Sequence, residues 1–241
     1  MVPEAARRRH ILTVVLEDYC HVGPVSRVIR PDYWSRFESR VHRNTQATLD
    51  LLDDVGAKAT FFILGWIAEH QPEVVAEVLR RGHEIASKGF FHQHIHQMTP
   101  ERFREDVRRS RQALESACGV AVRGYRVPRG GLGRRDLWAL DILAEEGFDY
   151  DSSVRPLGVE FAGQPFRRFI HRHQHQGRSI WEVPLSTWSF GPFSVPISGG
   201  NYMRQLPNFL IRNAMATWDR QAAEPLVCYI IWCKAMRLSA C

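Results

Sequence analysis

The chain has 241 residues, 44% hydrophobic and 24% charged, which is enough to bury one substantial core. Its formal charge is +6, but the basic residues are scattered and form no aromatic-interleaved stripe, which argues against a nucleic-acid partner. No stretch approaches the roughly 20 apolar residues of a membrane span, so we expect no membrane partner. Five cysteines without a CxxC pair fit neither a disulfide framework nor a zinc knuckle, and a reducing cytoplasm is the expected compartment.

Short apolar runs alternate with amphipathic segments along most of the chain. The predicted strands cover residues 11–16, 59–64, 83–87, 120–125, 148–152, 179–183 and 226–232. The predicted helices cover residues 44–55, 72–81, 100–117, 134–146 and 207–221. Between residues 156 and 207, glycine, proline and aromatic residues are typical of loops or a subdomain wall. The alternation predicts an α/β fold with a parallel sheet, in one domain that spans residues 1–241.

Polar clusters follow three of the predicted strands directly. They are Glu17 with Asp18, the segment 88–96 with Lys88 and three histidines, and Arg126. Because the carboxyl ends of parallel strands meet on one face, these groups could share a pocket. Taken singly, the two carboxylates could be a turn or helix cap, and the histidines could belong to a surface loop. Their joint occurrence at successive strand ends favours a hydrolase-like site.

Several segments together resemble a known family in order and spacing. They read LTVVLEDY (12–19), KATFFILGW (58–66), GHEIASKGFFH (82–92), GYRVP (124–128), LWALDILAEEGF (137–148) and YDSS (150–153). This set is similar to the polysaccharide deacetylase family, carbohydrate esterase family four. SGGNY at 198–202, followed by Leu206 and Pro207, resembles its exosortase-associated branch. The likeness covers residues 10–231, whereas the tail, residues 232–241, is atypical.

The resemblance implies a distorted (β/α) barrel that removes the N-acetyl group from an amino sugar. Family members hold a divalent metal such as zinc with one aspartate and two histidines, while another acid acts as general base. Carried over, Asp18 is the metal carboxylate, His92 the second histidine and Glu17 the base. Arg126 matches the arginine that orients the base. A bound metal lowers the pKa of water and stabilises a tetrahedral oxyanion.

The same resemblance indicates residues that could contact a saccharide or other small-molecule substrate. They are Tyr19, Phe91, His92, Pro128 and Asp151. Further aromatic residues, Trp188 and Tyr202, could line a sugar-sized groove, although core packing explains the aromatic residues equally well. The sequence leaves the substrate and the oligomeric state open.

The sequence departs from the family pattern at the residues that matter most for a metal. Lys88 stands where the family has its first metal histidine, and a protonated lysine has no lone pair for a cation. The last strand, Cys228 to Trp232, lacks the family's histidine that serves as general acid. Val15 stands where relatives of this branch often have an additional aspartate, and Arg129 with two glycines replaces a more usual small or aromatic stretch. We therefore expect weak or absent zinc dependence. Whether His94 or His96 could replace the missing metal ligand is left open by the sequence.

Lys88 leaves three functions open. The first is hydrolysis of a non-peptide carbon–nitrogen bond, with the ammonium taking the place of the metal charge beside Asp18 or Glu17. The second is metal-free acid–base chemistry on a small metabolite, as in a dehydratase, cyclase or isomerase. The third is a non-catalytic binding protein, in which Lys88 forms only a buried ion pair.

Overall fold

The computed structural model describes residues 10–22, 25–157, 160–161, 163–190, 193–197, 207–221 and 224–231. Its strands are β1 (Ile11–Leu16), β2 (Thr60–Ile63), β3 (Glu84–Ser87), β4 (Gly124–Tyr125), β5 (Tyr150–Asp151), β6 (His171–His175), β7 (Arg178–Glu182), β8 (Thr187–Phe190), β9 (Phe193–Pro196) and β10 (Val227–Ile231). Its α-helices are α1 (Val41–Asp54), α2 (Gly65–His70), α3 (Pro72–Arg80), α4 (Pro100–Cys118), α5 (Trp138–Glu145) and α6 (Asn208–Gln221).

The main sheet has the strand order β10-β1-β2-β3-β4-β5-β7-β6, in which every neighbouring pair is parallel except β6 and β7. The sheet curls so that its two edges approach one another. The segment after β7, near one edge, contacts β10, which is the strand at the opposite edge. Ser186 N donates to Val227 O at 3.3 Å, and Val227 N donates to Ser186 Oγ at 2.8 Å. This closure confirms the expected distorted (β/α) barrel.

The core lies between the sheet and the helices that follow its strands. Strand β2 is almost fully apolar because it is covered on both faces, and Phe61, Phe62 and Ile63 are at most 1% exposed. Helix α4 begins as predicted, with Thr99 Oγ1 accepting a hydrogen bond from Arg102 N and proline as the first helical residue. The strands therefore hold their carboxyl ends in a rigid frame for the loops that follow them.

The observed elements differ from the predicted ones where periodicity carries little information. The strands predicted at 120–125 and 148–152 contain only two residues each, and the helix predicted at 134–146 begins with a 3₁₀ turn, Arg134–Asp136. Helix α2, strand β6 and the β8–β9 hairpin were not predicted. Residues 198–206 and 232–241 lie outside the described residues. No helix in the described part is long and apolar enough to cross a membrane.

Candidate active site

A cleft of about 540 Å³ opens at the carboxyl ends of the parallel strands. The residues after β1, β3, β4 and β5 contribute to it, as expected for chemistry in a parallel α/β arrangement. Its lining comprises Val15, Glu17, Val22, Lys88, His92, Arg126, Val127, Pro128, Arg129, Gly130, Gly131, Ser152, Ser153, Arg155, Leu185 and Tyr229.

Glu17 is the centre of the charged groups at the floor of the cleft. Its Oε1 lies 2.8 Å from His92 Nε2 and 3.3 Å from Lys88 Nζ. Burial alone would raise the pKa of Glu17, but the His92 and Lys88 side chains lower it from 4.5 to about 2. Glu17 is therefore a carboxylate at neutral pH. Its second oxygen, Oε2, has no hydrogen bond to the part of the chain that the structure describes.

Lys88 is buried, with 4% of its surface exposed, and its ammonium is surrounded by acceptors. Besides Glu17, it donates to Val127 O at 3.3 Å and to Pro128 O at 3.1 Å. Burial, together with the nearby Arg126, lowers the pKa of Lys88 below 10.5, although Glu17 acts in the opposite direction. Three acceptors match the three N–H groups of an ammonium. The three acceptors therefore offset part of the cost of burying an ammonium at position 88.

His92 is held in one orientation and one tautomer. Its backbone has φ = 54°, a left-handed conformation that residues other than glycine seldom adopt. Arg129 Nε lies 3.1 Å from His92 Nδ1 and can only donate, so Nδ1 accepts. The proton of the neutral ring is then on Nε2, which donates to Glu17. Neither ring nitrogen is left over for a metal ion.

The metal site implied by the resemblance does not fit this arrangement. Asp18, the expected metal carboxylate, does not line the cleft, and the structure pairs His92 with Glu17 instead. Asp18 Oδ2 accepts from Ser39 Oγ and from Arg40 N, and Oδ1 accepts from Tyr19 N, so both oxygens organise the turn before α1. No group of three or more histidine, cysteine, aspartate or glutamate residues suited to a metal occurs among the described residues.

The carboxylates of Glu17 and Asp18 point to opposite sides. The two residues follow one another at the end of β1, where successive side chains alternate in direction. The candidates His94 and His96 lie apart as well: their rings stack at 4.9 Å beside a neighbouring groove that also contains Asp136. With an ammonium within 3.3 Å of Glu17, the donor set of the cleft does not suit a divalent cation.

Arg126 lines the cleft but does not contact Glu17, the base it was expected to orient. Its Nε donates to Ser152 O at 2.9 Å, one terminal nitrogen donates to Ser152 Oγ, and the other donates to Thr13 Oγ1. The guanidinium lies over the ring of Phe62. Burial lowers its pKa to about 10, so it stays protonated at neutral pH. Arg126 therefore joins β4 to β1 and β5 across the barrel and adds positive charge to the cleft wall.

Of the residues expected to contact substrate, His92 and Pro128 line the cleft, whereas Tyr19, Phe91 and Asp151 do not. Asp151 is fully buried, and its two oxygens accept from the Ser153 backbone and hydroxyl. Sequence reasoning missed other cleft residues that lie far apart along the chain: Ser152, Ser153, Arg155, Leu185 and Tyr229. Arg129 was noted from the sequence only as a departure from the family pattern, although its position directly after Arg126-Val-Pro indicated that it lies near the cleft.

The comparison with protein families agrees with this fold. Residues 30–149 match the model of the polysaccharide deacetylase family, and residues 152–232 match a domain of unknown function, DUF3473. The chain belongs to the polysaccharide deacetylase family. The matched region contains Lys88, His92 and Arg126, whereas Glu17 precedes it.

Individual deacetylases of this family are similar over part of the chain. A chitooligosaccharide deacetylase from a Bradyrhizobium species is 32% identical over 101 residues, which cover 42% of this chain and 43% of that protein. A peptidoglycan deacetylase-like protein from Gibberella zeae is 32% identical over 160 residues, or 64% of this chain and 46% of that protein. The chain thus spans less than half the length of these relatives.

A solved structure of a Mycobacterium smegmatis protein assigned to the polysaccharide deacetylases superposes with a TM-score of 0.60 at 21% identity. The match covers 92% of this chain and 77% of that one. This likeness supports the deacetylase fold.

Proposed function

We propose that this chain is a hydrolase for the N-acyl bond of an amino saccharide, working through Lys88 rather than a resident metal ion. The observation that carries the proposal is the Glu17, Lys88 and His92 cluster at the floor of a cleft in a deacetylase fold. The named relatives are deacetylases of chitooligosaccharide and peptidoglycan, which supports a saccharide as the substrate class.

The chemistry that these residues can perform follows from their charges. Glu17 is ionised and Oε2 has no described hydrogen-bond partner, so it can accept a proton from an attacking water and return it to the amine nitrogen as the carbon–nitrogen bond breaks. The ammonium of Lys88 can stabilise the tetrahedral oxyanion by exchanging its 3.3 Å contact with Val127 O for the substrate oxygen. His92, fixed by Arg129, keeps the carboxylate aimed.

Lys88→Met tests the proposal directly, because it keeps the length of the side chain and removes its charge. We expect release of acetate from N-acetylated chitooligosaccharide to fall by at least about a hundredfold, the size of effect that one oxyanion donor has. The matched control is Lys58→Met, since Lys58 is exposed and donates to Arg81 O far from the cleft. Activity of the parent should persist in a chelator. Full activity in a folded Lys88→Met protein contradicts the proposal.

Lys88→His is expected to create the zinc site that the parent chain lacks. The new imidazole would replace the ammonium beside Glu17, and a zinc ion that displaces the proton of His92 Nε2 would then have the three protein ligands usual for catalytic zinc. Metal analysis after dialysis against zinc should find about one equivalent in Lys88→His and much less in the parent. One tightly bound equivalent in the parent would show that our interpretation of Lys88 is wrong.

A saccharide-binding protein without catalysis is a second candidate, favoured by a specific observation. All three donors of the Lys88 ammonium and both nitrogens of His92 already have partners within the protein. A closed network of this kind is also what a structural ion pair looks like. Saccharide binding without acetate release, unchanged by Lys88→Met, would favour this candidate.

Two finer assignments are part of the proposal. The likeness of residues 198–202 supports membership of the exosortase-associated branch with a degenerate metal site. Cys20 and Cys118 form no disulfide with another described residue, which supports a reducing cytoplasm as the compartment.

A further inference from the structure

The described residues that line the cleft carry a strong excess of positive charge. Four of them are cationic, Lys88, Arg126, Arg129 and Arg155, and one is a carboxylate, Glu17. Glu17 lies within ion-pair distance of Lys88, and none of the three arginines has such a carboxylate among the described residues. A concave site lined by one sign of charge concentrates the opposite charge.

Arg126 is not available to a ligand in the same way as the other two arginines. It is 5% exposed, and three of its N–H groups donate to Ser152 and Thr13. The buried Asp151 behind it raises its pKa against the effect of burial. The excess charge that faces the cleft is therefore carried by Arg129 and Arg155.

Arg129 is held in a fixed orientation by three contacts. Its Nε donates to His92 Nδ1, and one terminal nitrogen donates to His21 O and to Ser26 Oγ. The other terminal nitrogen has no hydrogen bond to the described part of the chain. A guanidinium fixed before a ligand arrives loses little entropy on binding.

Arg155 lines the same cleft as Arg129, and it packs against the second of the two glycines that follow Arg129. Gly130 and Gly131 have φ of 81° and 71°, and a Cβ on Gly131 would lie 2.8 Å from Arg155 Cβ. The Arg155 side chain is exposed and makes no hydrogen bond or ion pair with described residues. The two acids of the adjoining groove are engaged elsewhere, Asp136 with Gly133 N and His96, and Glu160 with Arg134 N.

We propose that the ligand of this cleft carries an anionic group, a carboxylate, phosphate or sulfate, which Arg129 and Arg155 bind together. This inference rests on the proposed saccharide function, because it defines which saccharide the cleft selects. Guanidinium groups pair with such oxyanions through charge-assisted hydrogen bonds. A neutral sugar would cover Arg129 without supplying the counter-charge, which costs affinity.

The test is calorimetric titration with two sugars that differ by one phosphate group, N-acetylglucosamine and N-acetylglucosamine 6-phosphate, with N-acetylmuramic acid as a carboxylate probe. We expect the anionic sugars to bind at least about tenfold more tightly than the neutral one. Arg155→Gln, which is exposed and should not perturb folding, should abolish that preference, and Arg129→Gln should do the same. Arg172→Gln is the control, because Arg172 lies exposed on β6 away from the cleft.

Equal affinity for neutral and anionic sugars, or a preference that persists in both variants, would overturn the inference. Inorganic phosphate should compete with both anionic sugars in the parent and lose that effect in Arg155→Gln. The binding measurement does not depend on turnover. Anion-selective binding without acetate release would therefore refute only the proposed hydrolysis, whereas acetate release without charge selectivity would refute only this inference.

Discussion

Glu17→Gln is expected to lower the free energy of unfolding by about 3–5 kcal/mol, the cost of breaking a buried ion pair on one side. The amide leaves the Lys88 ammonium buried without its counter-charge. It also brings an NH₂ group to a place where Lys88 and His92 both donate to the carboxylate. Chemical denaturation at pH 7 measures the effect.

A double variant separates the effect of the lost charge on stability from the effect of the changed side-chain shape. Glu17→Gln combined with Lys88→Met removes both charges, and replacing both partners of a buried pair is often close to neutral. We expect the double variant to recover most of the stability that Glu17→Gln loses. Additive losses in the two single variants would contradict the ion pair as the cause.

The same pair gives stability a defined dependence on pH. The pKa of Glu17 falls from 4.5 to about 2 on folding, so its contribution is present above pH 4.5 and is lost as the pH falls towards 2. A pKa lowering of this size corresponds to a contribution of about 3 kcal/mol to the free energy of unfolding. The stability difference between the parent and Glu17→Gln should therefore shrink over this acidic range.

The sequence predicts those elements whose burial leaves a clear pattern. Strand β1 has the bounds predicted for it, because its six residues, five of them apolar, lie in the interior of the sheet. Strand β6 was missed because it is an edge strand with the polar sequence HRHQH, which pairs only with β7. Helix α2 was missed because it has six residues and begins with a glycine that is separated from β2 by only one residue.

The candidate site was predictable in position but not in its pairings. Strand-end reasoning placed Glu17, Lys88 and His92 in one cleft, and the structure brings these three together. This reasoning could not show that the Asp18 side chain points away from His92. The sequence shows two adjacent acids at the strand end, but not which of them points into the cleft. Nor could it place Arg155 in the cleft, since the position of Arg155 depends on the backbone turn at Gly130 and Gly131, both of which have a positive φ.

Behind the cleft, the structure contains a second buried acidic pair that motif comparison does not suggest. Asp151 and Glu182 are paired in register on β5 and β7, and neither is exposed. Both Asp151 oxygens accept from Ser153, and Glu182 Oε1 accepts from Val154 N at 3.0 Å. Only Glu182 Oε2 has no donor among the described residues, and we expect the proton of this pair to lie on that oxygen. Burial and the charge of Asp151 raise the pKa of Glu182 well above 4.5.

Glu182→Gln is expected to stabilise the protein at alkaline pH and to flatten its pH dependence. In the parent, the folded state keeps a proton on Glu182 that the unfolded state has released above pH 4.5, so stability falls as pH rises, by up to about 1.4 kcal/mol per pH unit. The glutamine amide supplies the same donor to Asp151 without titrating, and its oxygen still accepts from Val154 N. Thermal unfolding of the parent and the variant between pH 5 and 9 measures the difference.

Asp151→Asn is the matched control, because it also removes one titrating carboxyl group from the pair. Its NH₂ group would face a Ser153 donor on either side, so we expect it to destabilise the protein by about 1–3 kcal/mol at every pH in the range. If Asp151→Asn stabilised the protein and Glu182→Gln did not, the proton would lie on Asp151. Equal pH slopes in the parent and Glu182→Gln would show that the pair does not hold a proton at neutral pH.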